Sequence, residues 1–274
     1  MRIRIVDAFT DRPFAGNPAG VLLLDTDAFP DDDRLQRIAS EVNLSETAFA
    51  HPLPEGAEAD WALRWFTPAT EAPMCGHATL ATAHVLRTTG AARGTIRFTT
   101  LSGVLSATAE DSGMITLDFP TAELATLDVS QGVAGVADAL GARILSAHHT
   151  SPYIDDLLLE VADETAVRTL SPDLAALART GHRGCIVTAA AEDPARGYDF
   201  VSRVFAPAVG IDEDPVTGSA HTALAPFWSA RLGRADLTGL QASARGGLVR
   251  TALRGDRTLL TGAAVTVVDG ELLA

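Results

Sequence analysis

Four short stretches of this 274-residue chain hold residue types able to move a proton or seat an anion. In Asn43-Leu44-Ser45-Glu46-Thr47-Ala48-Phe49, Glu46 interrupts a strand otherwise made of apolar and small residues. A carboxylate among Leu44, Ala48 and Phe49 loses solvation. That disfavours its charged form and moves it toward the range useful in proton transfer. In Cys75-Gly76-His77-Ala78-Thr79, glycine and small residues open a helix, leaving its first amides accessible beside the positive helix end, an anion site. That end disfavours protonated His77, which suits a neutral donor or acceptor role, and it lowers the pKa of a thiol placed as Cys75 is. In Asp214-Pro215-Val216-Thr217-Gly218-Ser219, a second such start offers the amides of Gly218 and Ser219, with Asp214 set to orient a ligand or share a proton. Asn17, in the loop Ala15-Gly16-Asn17-Pro18-Ala19-Gly20, is turn chemistry first and ligand contact second. Cys185, inside Gly184-Cys185-Ile186-Val187, reads as core.

The elements that carry these stretches come in two similar sets. Arg64-Trp65-Phe66-Thr67-Pro68-Ala69 is matched 139 residues later by Arg203-Val204-Phe205-Ala206-Pro207-Ala208, close to half the chain length. Each segment runs through an acidic, Pro-containing loop to Gly76 or Gly218, then into an Ala-rich stretch with helical spacing that stops at Gly90 or Gly233. Both stretches are apolar nearly all round, as enclosed helices are. Pro226 in the second marks a potential kink. Strand-like runs such as RIRIVDAF, AGVLLLD, GTIRFTT and GCIVTAA surround them, and amphipathic helices are expected at DDDRLQRIASEV and near SPDLAALARTG. The expected fold class is α+β: two pseudo-symmetric domains, 1–120 and 121–274, each built of strands around one buried helix, with the last strand free to return to the first domain. The two helix starts would then face one interdomain cleft.

Composition narrows the chemistry. Forty-seven per cent hydrophobic residues supply a packed core. A net charge of -14 repels phosphate backbones and anionic lipids, which argues against nucleic-acid and membrane-surface partners. All 21 basic residues are arginine. Without lysine there is no internal Schiff base and no P-loop. Two cysteines give neither a disulfide framework nor zinc spacing, and no H-E-x-x-H occurs, so no metal is expected. No secretory h-region and no long apolar run is present, which reads as a cytoplasmic protein.

The motifs FAGNPAGV, NLSETAF, RWFTPATEAPMCGHAT and DEDPVTGSAH, in that order from residue 9 onward, resemble the phenazine-biosynthesis PhzF-like isomerases. The resemblance implies the diaminopimelate-epimerase-like fold, each domain a curled, mostly antiparallel sheet around a central helix. It implies catalysis without cofactor or metal, and a homodimer. Glu46 matches that family's acid/base glutamate, His77 its G-H histidine, Asp214 the aspartate of D-P-x-T-G, and Ser219 the serine of G-S-A. Related epimerases use one cysteine from each half; here Cys75 has Thr217 as its counterpart, which favours Glu46 as the base. The expected activity is a cofactor-independent isomerase that moves a proton on a small anionic, carboxylated or unsaturated metabolite. Glu46, Asp214 and His77 would be catalytic, with Gly76, Gly218, Ser219, Asn17 and Cys75 in substrate binding. The alternatives are an amino- or hydroxy-acid epimerase or racemase, and a non-catalytic metabolite-binding protein.

Overall fold

The computed structural model describes residues 1–150 and 155–273. The chain divides into two compact units: Met1–Phe119, joined by the residues from Thr261 onward, and Pro120–Leu260. The first holds β1 (Arg2–Ala8), β2 (Asn17–Leu23), α1 (Asp32–Val42), β3 (Glu46–Pro52), β4 (Trp61–Phe66), β5 (Glu71–Ala72), α2 (Gly76–Thr88), β6 (Thr95–Thr100), β7 (Gly103–Ala109) and β8 (Ile115–Pro120). The second holds β9 (Leu124–Leu127), α3 (Val129–Gly132), α4 (Ala134–Leu140), β10 (Ser146–Thr150), β11 (Asp156–Glu160), α5 (Glu164–Arg168), α6 (Leu174–Ala178), β12 (Gly184–Ala190), β13 (Phe200–Ala206), β14 (Ile211–Asp214), α7 (Gly218–Leu232), β15 (Asp236–Gln241) and β16 (Gly247–Arg254). β17 (Arg257–Gly262) follows, and β18 (Ala264–Glu271) lies in the first unit.

Along hydrogen-bonded neighbours the first unit reads β18-β1-β2-β3-β4-β6-β7-β8. The β2–β3 and β4–β6 pairs are parallel and the rest antiparallel. The second reads β9-β10-β11-β12-β13-β15-β16, with β11–β12 and β13–β15 parallel and the rest antiparallel. Over the seven strands from β18 to β7 and from β9 to β16 the pattern is the same, down to the short β5 on β4 and β14 on β13. The place that β9 fills beside β10 is filled beside β1 by β18, from the far end of the chain.

Each repeated arginine explains its own motif. Arg64 sends Nε and Nη2 to the two carboxylate oxygens of Glu71, both at 2.7 Å, and Arg203 does the same to Glu213 at 2.7 and 2.9 Å. The guanidinium carbons lie 5.0 Å from the Phe66 ring centroid and 4.9 Å from that of Phe205. Planar, bidentate pairing over an aromatic face is arginine geometry. In both units it ties β4 or β13 to the short strand, β5 or β14, that precedes the helix start.

The helices are enclosed for the reason their composition suggests. Every residue of α2 from Gly76 to Leu86 is buried, and the helix packs on β1, β2, β3, β7 and β18. On α7, Ala220, Ala223, Leu224, Phe227 and Trp228 pack with Leu158, Ile186, Phe200, Val204 and Leu237 from four strands. Trp228 stacks on Phe200 with ring centroids 5.9 Å apart. Helix α7 runs on through Pro226 to Leu232, because this packing holds both sides of the proline. The helix near residue 174 is a single turn, α6, while α4, which sequence reading passed over, is the longer of the two. Helix α1 is amphipathic as expected: Asp31 caps it by accepting the Arg34 amide, and Leu35, Ile38 and Ala39 face inward.

Candidate active site

Glu46 opens β3, paired with Ala19 of parallel β2, and its side chain is 13% exposed. Its Oε2 lies 3.2 Å from Nε2 of His77, which is itself buried in the first turn of α2. The other ring nitrogen of His77, Nδ1, receives the Asn17 side-chain amide at 3.2 Å and lies 3.5 Å from the Cys75 sulfur. An amide Nδ2 only donates, so Nδ1 is the acceptor and the proton of the neutral ring sits on Nε2, which lies within ion-pair distance of the Glu46 carboxylate without hydrogen-bond geometry to it. The expected Glu46, His77, Asn17, Gly76 and Cys75 therefore come together in the first unit.

Local structure explains how. Gly16 has φ +64°, and a β-carbon there would collide with the carbonyl oxygen of Ala8, so the turn that delivers Asn17 requires glycine. The same loop holds Phe9 and Phe14 at positive φ, and the buried Asp7 carboxylate accepts the Phe14 amide at 2.7 Å. Strain of this kind persists only where the surroundings over-determine it. Cys75 is the N-cap residue of α2 in extended conformation, and Thr79 returns its hydroxyl to the Cys75 carbonyl at 2.5 Å.

The second unit builds an analogous turn with different chemistry. Thr217 is the N-cap residue of α7, and its hydroxyl donates to the Asp214 carboxylate at 2.5 Å. Buried Gln241 accepts the Thr217 amide at 2.8 Å and donates to the Asp214 carbonyl at 2.6 Å. His221 donates from Nδ1 to the Thr217 carbonyl at 2.8 Å, as Thr79 does to Cys75. Burial pushes the His221 imidazole down to about 4, so it is neutral near pH 7. Gly218 is buried at the helix start, with Ser219 partly buried beside it.

The units differ at one decisive position. Phe66 pairs with Thr47 and Phe205 with Cys185, so Gly184 is the counterpart of Glu46. A β-carbon on Gly184 would meet Asp156 Oδ1 at 2.9 Å and the Phe205 carbonyl oxygen at 3.0 Å. Asp156, almost fully buried, fills that space with a bidentate pair to Arg183 at 2.9 and 2.6 Å. The acid stands in one half only. Gln241 and the Asp156–Arg183 pair escaped sequence reading, because strand register places them and no motif announces them; His221 lay inside the DEDPVTGSAH motif with no role assigned to it.

Glu46, Cys75 and His77 also bring an oxygen, a sulfur and a ring nitrogen within 4.8 Å of one another. Among the described residues no helix is long and apolar enough to cross a membrane.

Comparison with known proteins agrees with this fold. Residues 6–270 match the family model described as phenazine biosynthesis-like protein. An uncharacterized isomerase of Halalkalibacterium halodurans is 44% identical over 99% of this chain and 98% of its own. A human phenazine biosynthesis-like domain-containing protein is 40% identical over 99% of each. The crystal structure of a PhzF-family phenazine biosynthesis protein from Enterococcus faecalis superposes with a TM-score of 0.89 at 39% identity, covering 100% of this chain and 99% of that one. A hydroxyproline epimerase from Agrobacterium vitis shares the fold at a TM-score of 0.61 and 14% identity, over 98% of this chain and 91% of that one. With its family model matched almost end to end, the chain belongs to the phenazine biosynthesis-like (PhzF) family of isomerases.

Proposed function

We propose that this isomerase moves a proton on a small carboxylated or unsaturated metabolite, with Glu46 taking the proton and returning it at a second carbon. The observation that carries the reading is the Glu46 carboxylate, shielded from water and 3.2 Å from His77 Nε2. A desolvated carboxylate keeps basicity that open water would take from it. The amides of Gly76 and His77 at the start of α2 suit a substrate carboxylate or a developing enolate oxygen, since that is where helix amides and dipole favour negative charge. The start of α7, with Asp214, Gly218 and Ser219, offers the same kind of amides. An Asp214→Asn variant that loses turnover assigns it to the same reaction.

The experiment is a panel of unsaturated cyclic and acyclic carboxylates and α-amino acids incubated with the protein in heavy water. Proton NMR reads deuterium at carbon. Double-bond migration with deuterium at the new position supports the proposal. Exchange with inversion at an α-carbon supports an epimerase instead, a reading favoured by the thiol of Cys75 at the α2 start. Ligand-induced thermal stabilisation with no exchange on any compound supports a binding protein.

A further inference from the structure

The imidazole of His77 stands between two groups that exchange protons, and its two nitrogens are divided between them. Nε2 faces the Glu46 carboxylate at 3.2 Å, and Nδ1 faces the Cys75 sulfur at 3.5 Å. All three side chains are shielded from bulk water. Cys75 is moreover the N-cap residue of α2, where the amides and dipole of the helix favour a thiolate. We propose that Cys75, His77 and Glu46 form a thiol–imidazole–carboxylate relay, in which Cys75 acts through His77 as a positioning residue that supplies the proton making the ring an acid.

The step is a single proton transfer. The Cys75 S–H bond breaks, its electron pair stays on sulfur, and the proton bonds to His77 Nδ1. The Asn17 amide gives up Nδ1 as the proton arrives, and the imidazolium then lies between the two anions, with Nδ1–H at the thiolate and Nε2 3.2 Å from the Glu46 carboxylate. An ordinary thiol and an ordinary imidazole differ by about two pKa units, a gap that a carboxylate on the far side of the ring is able to close. The inference rests on Glu46 being the base of the reaction, and gives that base an acid partner which needs no proton from solvent. Reversal of the step resets the site.

The test needs no substrate. Thiolate absorbance in the ultraviolet is followed against pH in the full-length protein. Burial pushes the Cys185 thiol up to about 12, so signal gained below about pH 9 belongs to Cys75. Cys75→Ser identifies it by abolishing it. The wild type is expected to titrate below the ordinary thiol value, and both His77→Gln and Glu46→Gln are expected to move the midpoint up by about one pH unit or more. The sign for Glu46→Gln is diagnostic. A carboxylate acting directly on the thiol would disfavour the thiolate, so its removal would move the midpoint down; acting through the ring, its removal moves the midpoint up. A downward shift, or no shift in folded Glu46→Gln and His77→Gln, overturns the relay. Glu46→Asp, which keeps the charge and shortens the reach, serves as the second variant should Glu46→Gln lose its fold, and is expected to show a smaller upward shift. A Glu46→Gln enzyme that has lost turnover while its thiol titrates as in the wild type leaves Glu46 as the base and removes only the relay. One that keeps full turnover removes the base, whatever the thiol does.

Discussion

At the scale of the residue, the site depends on which hydrogen-bonding atom points where. Asn17 donates to His77 Nδ1, and that alone places the ring proton on Nε2, opposite Glu46. Asn17→Asp replaces the donor by a second carboxylate, so the ring has one on each side; that favours the imidazolium, which makes the facing Glu46 a weaker base. Turnover is expected to fall by roughly tenfold or more with the far-ultraviolet spectrum unchanged. His221 permits a thermodynamic check. Its folded value near 4 lies below the unfolded histidine value, so the unfolded state takes up the proton first as pH falls. Its stabilising contribution is complete above about pH 6.5 and is lost toward pH 4, at about 1.4 kcal/mol per pH unit. Urea titrations at several pH values check this, and His221→Gln is expected to flatten the dependence by close to one proton. Glu46, His77, Cys75 and Asp214 were legible in the sequence because each sits in or beside a short motif. Gln241 was not, because only the pairing of β15 with β13 brings it to Thr217.

At the scale of the element, two enclosed helices and one strained turn do the positioning. Leu80 is fully buried in α2, and Leu80→Ala is expected to cost about 2–5 kcal/mol by the lost burial and the cavity left behind, read by urea midpoint. The Gly16 turn is the less tolerant element. Gly16→Ala places a methyl against the Ala8 carbonyl in a left-handed conformation, at a cost of roughly 1–3 kcal/mol and with displacement of Asn17. A loss of turnover larger than the loss of stability is the expected signature. The helices were readable from their Ala-rich, all-round apolar composition. The turn was readable only as a turn, since its need for glycine comes from the neighbouring β1 carbonyl rather than from anything in its own residues.

At the scale of the whole molecule, a duplicated strand pattern carries an unduplicated acid. The repeat was visible in the sequence because Arg64 and Arg203 need their aromatic and acidic partners at fixed places, and those places recur. The asymmetry was not visible, because nothing in Gly184 announces that it stands where Glu46 stands until the register is known. Gly184→Glu is therefore expected to lose stability rather than gain a second base, since its side chain has the Asp156–Arg183 pair in its way; thermal denaturation reads this directly. The most direct test of Glu46 as the base is the rate at which the identified substrate incorporates solvent deuterium, compared between wild type and Glu46→Gln at equal folded concentration. The expected result is a drop of about a hundredfold or more; exchange at the wild-type rate in a folded Glu46→Gln protein would contradict it.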